Sequence, residues 1–227
     1  MRHSVIGVVI FCAVAGLSAA SQADLIPNLT RVPPDITANF VSISYDATTR
    51  WLDVNGAPVA VDFNGVAPPD FDIIDGTTLL ATQTIHVKVD AAGHVVADPA
   101  NSLVITGLID RPSETFTTLL TGVPTLIGFE TTAGGKLFQF EFDVTGGELA
   151  PQYGPKGGVI LGAVAYGAHP FAGNFGSNFN NNGTGNADTF LVPDTVPTPE
   201  PATLLLLAVG AGVPFARRLR RRLAGGR

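Results

Sequence analysis

Hydrophobic positions along the chain follow two different rules. Uninterrupted apolar runs occupy Val5–Leu17 and Ala202–Ala216, one near each end and both bordered by arginine. Between them apolar and polar residues alternate. Val41, Ile43 and Tyr45 fall on one side of an extended segment, with Ser42 and Ser44 on the other. Ile85-His86-Val87-Lys88-Val89 alternates in the same way. The clearest case is Phe138-Gln139-Phe140-Glu141-Phe142-Asp143-Val144, three Phe and a Val on one face and three polar groups on the other. A period of two is that of a strand with one buried and one wet face, the habit of antiparallel sheets.

This pattern predicts strands over 39–45, 50–54, 58–63, 78–89, 102–109, 115–121, 124–131, 136–145 and 158–166. Turn dipeptides separate them: Asn55-Gly56, Asn64-Gly65, Asp75-Gly76, Ala92-Gly93, Gly134-Gly135 and Gly146-Gly147. Asn55-Gly56, between Trp51–Val54 and Val59–Phe63, is a hairpin signal. No 3.6-residue period is sustained, and Gly and Pro supply 34 of the 175 residues from Asp24 to Thr198, which disfavours helix. The expected fold is all-β, an antiparallel β-sandwich or jelly roll, over 24–170 with its core at about 36–170. The Gly/Asn/Pro-rich stretch 171–196 reads as a flexible linker. Its Phe171, Phe175 and Phe179 are read as tucking that loop against the domain rather than forming a stacking platform.

Charge sharpens the division. Asp24–Thr198 holds eighteen acidic against six basic residues, a net of about −12, whereas the whole chain carries −6. So acidic a domain is repelled by phosphate backbones, which excludes nucleic acid as a partner. The one cysteine, Cys12, lies inside the first apolar run, so the exported part has no thiol for a disulfide, a zinc site or a nucleophile.

Arg2, the thirteen-residue run and the small residues Ser21-Gln22-Ala23 give residues 1–23 the three parts of a secretory signal peptide, with signal peptidase cutting between Ala23 and Asp24. At the other end the order is Pro199-Glu200-Pro201, then a transmembrane segment at 202–216, then Arg217, Arg218, Arg220, Arg221 and Arg222. Prolines hold Glu200 in extended chain. Fifteen helical residues reach about 22 Å, a marginal span weakened by Gly210, Gly212 and Pro214, and the arginines fix its end on the cytoplasmic side. The segment reads as a transient membrane anchor; the alternative is a plain single-pass anchor.

This order of triplet, span and arginine cluster resembles the PEP-CTERM sorting signal. Residues 197–227 carry it, and Pro199, Glu200 and Pro201 match its motif one for one. The resemblance implies processing by exosortase, a membrane transpeptidase-like enzyme of Gram-negative bacteria that make exopolysaccharide, and delivery to the cell surface or outside. A Leu-Pro-x-Thr-Gly sortase motif is absent, and a lipid-anchor tail would not end in arginines.

The middle of the chain offers little chemistry. His86, His94 and His169 accompany no Gly-x-Ser-x-Gly, and His86 and His94 read as solvated surface residues. Glu141-Phe142-Asp143 resembles the start of the Glu-x-Asp-x-x-Glu strand of laminarinase-type glycosidases, but Thr145 and Gly146 stand where the second Glu would fall. Asp62, Asn64, Asp70, Asp72 and Asp75 gather oxygen ligands within a short stretch, as calcium requires, although their spacing slips from that of a calcium loop. Ordinary Asx turns account for the same residues. The sequence therefore predicts a non-catalytic surface or matrix protein without a required cofactor. The alternative is a carbohydrate-binding module for exopolysaccharide, with calcium as a stabilising ion; a glycosidase is a third reading. Trp51, Tyr45, Tyr153 and Tyr166 are the Trp and Tyr residues able to stack a sugar.

Overall fold

In the computed structural model the described residues are 25–193, apart from 28, 113, 133, 134, 164–168, 182 and 184. They form β1 (Asp35–Asp46), β2 (Trp51–Asp62), β3 (Phe71–Ile74), β4 (Thr82–Lys88), β5 (Ser102–Ile109), β6 (Thr117–Thr132), β7 (Gly135–Gly146), the short helix α1 (Ala150–Tyr153), β8 (Lys156–Ala163), β9 (Phe179–Asn180) and β10 (Gly185–Leu191). The expected signal peptide with its Ala23–Asp24 cleavage point, the sorting motif, the expected 202–216 span and the arginine cluster lie outside the described residues.

Every strand pair is antiparallel, and β1, β2, β4, β5, β6, β7, β8 and β10 follow one another in space as in sequence. β1 then pairs with both β10 (Ile36 opposite Thr189) and β2 (Ile43 opposite Val54), so the sheet closes on itself. The all-β, antiparallel expectation holds. The sandwich or jelly roll does not: one continuous sheet closes as an up-and-down barrel, with no crossover to a second sheet among the described residues. The reason lies in the pattern. Alternation states which face of a strand is buried, but a closed barrel and a pair of stacked sheets bury the same face.

The buried face fills the barrel. Phe138, Phe140 and Phe142 of β7 point inward with Leu103 and Ile105 of β5, Ile85 and Val87 of β4, Val159 and Leu161 of β8, and Ile36 and Ile43 of β1, all buried. Eight strands leave an interior that side chains can fill. Phe142 needs the glycines on either side of its strand: a Cβ on Gly122 would stand 2.3 Å from its ring, and one on Gly157 2.2 Å. Close packing makes such positions intolerant of an added methyl.

Two turns differ from expectation. Asn55-Gly56 lies in mid-strand, since β2 runs unbroken from Trp51 to Asp62. The hairpin sits earlier, at Asp46–Trp51, where Arg50 adopts φ 65° and its N–H bonds the Asp46 carbonyl at 2.7 Å. The Asp46 carboxylate also accepts from Thr48 N at 2.8 Å, and that bond holds its pKa below the usual carboxylate range. Gly56 serves to admit Val41 of the neighbouring strand, whose Cγ2 lies 2.9 Å from where its Cβ would stand. Likewise β6 is one strand with bulges near Gly122 and Pro124, where two strands were expected.

The linker expectation for 171–196 is overturned for its described residues. β10 lies between β8 and β1 as a full member of the barrel, with Ala187, Thr189 and Phe190 buried. Phe171, Phe175 and Phe179 are buried too, so the loop-tucking reading of these three matches the structure.

The barrel has two ends. At the proximal end β1 begins, β2 and β5 end, and β10 delivers the chain to Pro193. There α1 lies across the opening, with Leu149 and Tyr153 buried, and Tyr153 Oη donates to the Thr189 carbonyl at 2.8 Å. Burial pushes the Tyr153 phenol well above its ordinary pKa, so it stays a donor. At the distal end Phe171, Phe175 and Phe179 pack with Tyr45, Phe129 and Phe138, ring centres 4.7–6.4 Å apart.

Candidate functional site

On the outer wall near the distal end, adjacent strands set one aromatic and three ionisable side chains together. Register places Trp51 beside Lys88 and Asp53 beside His86. Their inward neighbours Leu52, Ile85 and Val87 are buried, which forces these four outward. The Trp51 and His86 rings stack at 4.0 Å, 16° from parallel, and His86 Nδ1 lies 2.5 Å from Asp53 Oδ1. Lys88 Nζ stands 5.3 Å from the centre of the Trp51 ring and donates to Asp98 Oδ2 at 2.9 Å. That lysine hydrogen bond holds the Asp98 carboxyl below its usual range.

Beyond Asp98 lies a cleft of about 510 Å³ between the β4–β5 loop and β6, lined by Val95, Pro99, Asn101, Val123 and Thr125 among others. Its amide and hydroxyl are already engaged. Asn101 Oδ1 accepts from Lys88 N and its Nδ2 donates to the Val96 carbonyl, both at 2.9 Å, while Thr125 Oγ1 donates to the Glu141 carbonyl at 3.2 Å. A planar aromatic bordered by charge is suited to stack against a ring that also offers hydroxyls. Of the other aromatic candidates, Tyr45 and Tyr153 are buried, and Tyr166 lies outside the described residues.

The five oxygen-bearing residues at 62–75 do not converge on one point. Asp62, Asn64 and Asp70 share the β2–β3 loop and bond within it. Asp62 Oδ1 accepts from Asn64 N and Gly65 N at 2.9 and 2.8 Å, and Asp70 accepts from Phe63 N at 2.7 Å and Asn64 Nδ2 at 2.6 Å. Asp72 is exposed on β3, and Asp75 accepts from Ala81 N at 2.7 Å across the following loop. Among the described residues, no group of three or more His, Cys, Asp and Glu side chains is arranged to hold a metal ion.

Glu141 and Asp143 do share the outer face of β7. Lys156 of β8 serves both, ion-paired with Glu141 Oε1 and 3.8 Å from Asp143 Oδ1. The bond to Glu141 raises the lysine pKa. Thr145, where the glycosidase strand would place an acid, donates to Thr121 Oγ1 at 3.0 Å. His94 Nδ1 lies 3.3 Å from Asp90 in an exposed turn, and His169 is exposed.

Two features escaped the sequence. Phe40 is 77% exposed at φ 54°, on a bulge where β1 slips against both neighbours. Nothing in the alternation marks it, because a bulge breaks that rule locally. Asp35 is buried where the segment preceding β1 lies over the barrel, ion-paired with Arg31, which also stands 3.6 Å from Asp188. Burial, reinforced by Asp188 and opposed by Arg31, pushes the Asp35 carboxyl up to about 6. An Arg–Asp pair four residues apart was the available signal.

Among the described residues no helix is long and apolar enough to cross a membrane. Residues 197–222 match the PEP-CTERM protein-sorting motif. No curated protein and no solved structure matches the chain. The chain thus carries a PEP-CTERM signal, which implies export, surface sorting and processing by exosortase.

Proposed function

We propose that the barrel is non-catalytic cargo. In this reading residues 1–23 direct export and are removed between Ala23 and Asp24. The 202–216 segment then holds the protein briefly in the inner membrane of a Gram-negative cell, and exosortase processing at the Pro199-Glu200-Pro201 tail releases the barrel to the surface or matrix. The matched motif at 197–222 carries the proposal. Its physical support is the order of a proline-held acid, a marginal apolar span and a basic end. Fractionation of the native host with mass measurement tests it. The expected product lacks residues 1–23 and is found in the envelope or medium; full-length protein in the cytosol with both termini intact would contradict it.

The Trp51 surface supports a second reading, in which the barrel binds envelope polysaccharide. A half-buried indole that stacks on His86, with Lys88 over its ring and Asp53 paired to that histidine, supplies an aromatic surface with polar neighbours on a rigid sheet. A glycan array comparing the wild type with Trp51→Ala, each with and without EDTA, checks this. Binding lost in Trp51→Ala supports it, and loss on chelation adds a metal requirement to it. No binding by the wild type to any glycan leaves the cargo reading alone.

A further inference from the structure

Two loops flank β3 at the proximal end and carry apolar tips into solvent. One runs Asn64-Gly65-Val66-Ala67-Pro68-Pro69 and the other Gly76-Thr77-Thr78-Leu79-Leu80; neither contains a charged residue. Val66 is 66% exposed, Leu79 57% and Leu80 72%, and Ile74 of β3 is exposed between the two loops. Exposed loop tips are ordinarily small or polar, and clustered aliphatic side chains left in water mark a contact surface.

Three of the nearby carboxylates are engaged inside the loops, while Asp72 stands exposed on β3 between them. Asp62 and Asp70 accept backbone and amide N–H groups at the base of the first loop, and Asp75 accepts Ala81 N at the base of the second. Their hydrogen bonds hold the loops in shape while the tips stay uncharged. Three of the acids that suggested calcium, Asp62, Asp70 and Asp75, thus act as staples.

Placement supplies the partner. A Cβ on Gly65 would stand 3.0 Å from Pro33, and the carbonyls on either side of Pro33, those of Val32 and Pro34, accept from Leu191 N at 3.1 and 3.3 Å. The chain therefore leaves the barrel beside the first loop. Residues 194–201 then separate Pro193 from the apolar run at 202–216, a tether of roughly 28 Å at full extension. Such a short tether keeps the proximal end near the bilayer at high effective concentration, so a small apolar contact suffices. The tips lack the Trp, Tyr and Arg anchors that dominate protein interfaces.

The geometry points to a lipid contact: while the tail is held in the membrane, the tips at 64–69 and 76–80 dip into the interfacial layer of that bilayer. This rests on the tethering reading above. The full chain, reconstituted in phosphatidylcholine vesicles with or without bromine on the acyl chains, tests it. Native Trp51, near the distal end, is the internal reference. Val66→Trp and Leu80→Trp are each made with Trp51→Phe as single-tryptophan reporters. The inference expects bromine to cut the emission at 66 or 80, with a blue shift, and to leave Trp51 unchanged. Unquenched emission at both loop positions, or equal quenching of Trp51, would overturn it. If the full chain fails to float with the vesicles, the tethering reading falls and this inference with it; flotation without loop quenching removes this inference alone.

Discussion

The barrel and the tail carry opposite kinds of information. Residues 35–191 hold a fold that can be argued side chain by side chain, yet no motif in them announces a task. Residues 197–222 announce a task through a triplet, a span and a run of arginines, with no packing argument behind it. The difference follows from what recognises each region. A core is recognised by its own interior, where many patterns of apolar residues fill the same space. A sorting signal is read by another protein, so its residues must stand at fixed positions along the chain. Barrel substitutions should therefore change stability, and tail substitutions should change destination.

The largest expected effect in the barrel is at the distal plug. Phe175→Ala removes a buried ring in contact with Tyr45, Phe129, Phe171 and Phe179. It should lower stability by about 3–5 kcal/mol in chemical denaturation. A loss under about 1 kcal/mol would return the 171–181 tract to the status of a linker and blur the boundary between barrel and tail.

Asp35 gives the next effect, through pH. Its carboxyl titrates at about 6 in the fold, against an ordinary 3.8. The folded state therefore holds the proton more tightly than the unfolded chain. The associated stability is fully present below about pH 4 and is lost as pH rises through about 6, on the order of 3 kcal/mol. Asp35→Asn should flatten the stability profile across that window, measured by denaturant midpoints from pH 4 to 7. An unchanged slope would assign the pH dependence to other groups.

The smallest effect is at Phe40. A non-glycine residue at φ 54° carries backbone strain, and its ring is 77% exposed, so little packing opposes replacement. Phe40→Gly should raise the stability read by chemical denaturation, by up to about 1 kcal/mol. Destabilisation would instead mean that the ring is packed.

Much of the barrel was legible in the sequence because alternation is a local rule. The Phe138–Val144 stretch and Ile85–Val89 bury the predicted face, while His86 and Glu141 stand on the outer one. The missed elements fail that rule for identifiable reasons. β10 mixes Gly185, Ala187 and Thr189 on its buried positions, residues too small or polar to register as a core face. β3 has four residues. Asn55-Gly56 looks like a turn locally, and only the approach of Val41 from the next strand explains its place in β2. Closure of the sheet is a long-range property, decided by β1 accepting β10 as a second neighbour. The candidate surface was half visible. His86 could be assigned to a wet face and Trp51 was a stacking candidate, but their stacking on each other depends on a register that the misplaced hairpin concealed. The acids at 62–75 were visible as a cluster, whereas the use of Asp62, Asp70 and Asp75 as loop staples depends on where the backbone N–H groups point.

The central claim is that the tail, read by exosortase, sets the destination of a barrel that folds without it. The most direct measurement is the intact mass and location of wild-type and Glu200→Ala chains in the native host, with and without its exosortase. The account predicts a shortened product outside the inner membrane for the wild type. Glu200→Ala, and the wild type without the enzyme, should keep residues 197–227 and remain in the inner membrane with their barrels folded. Equal processing of Glu200→Ala and wild type, or processing without exosortase, would contradict it.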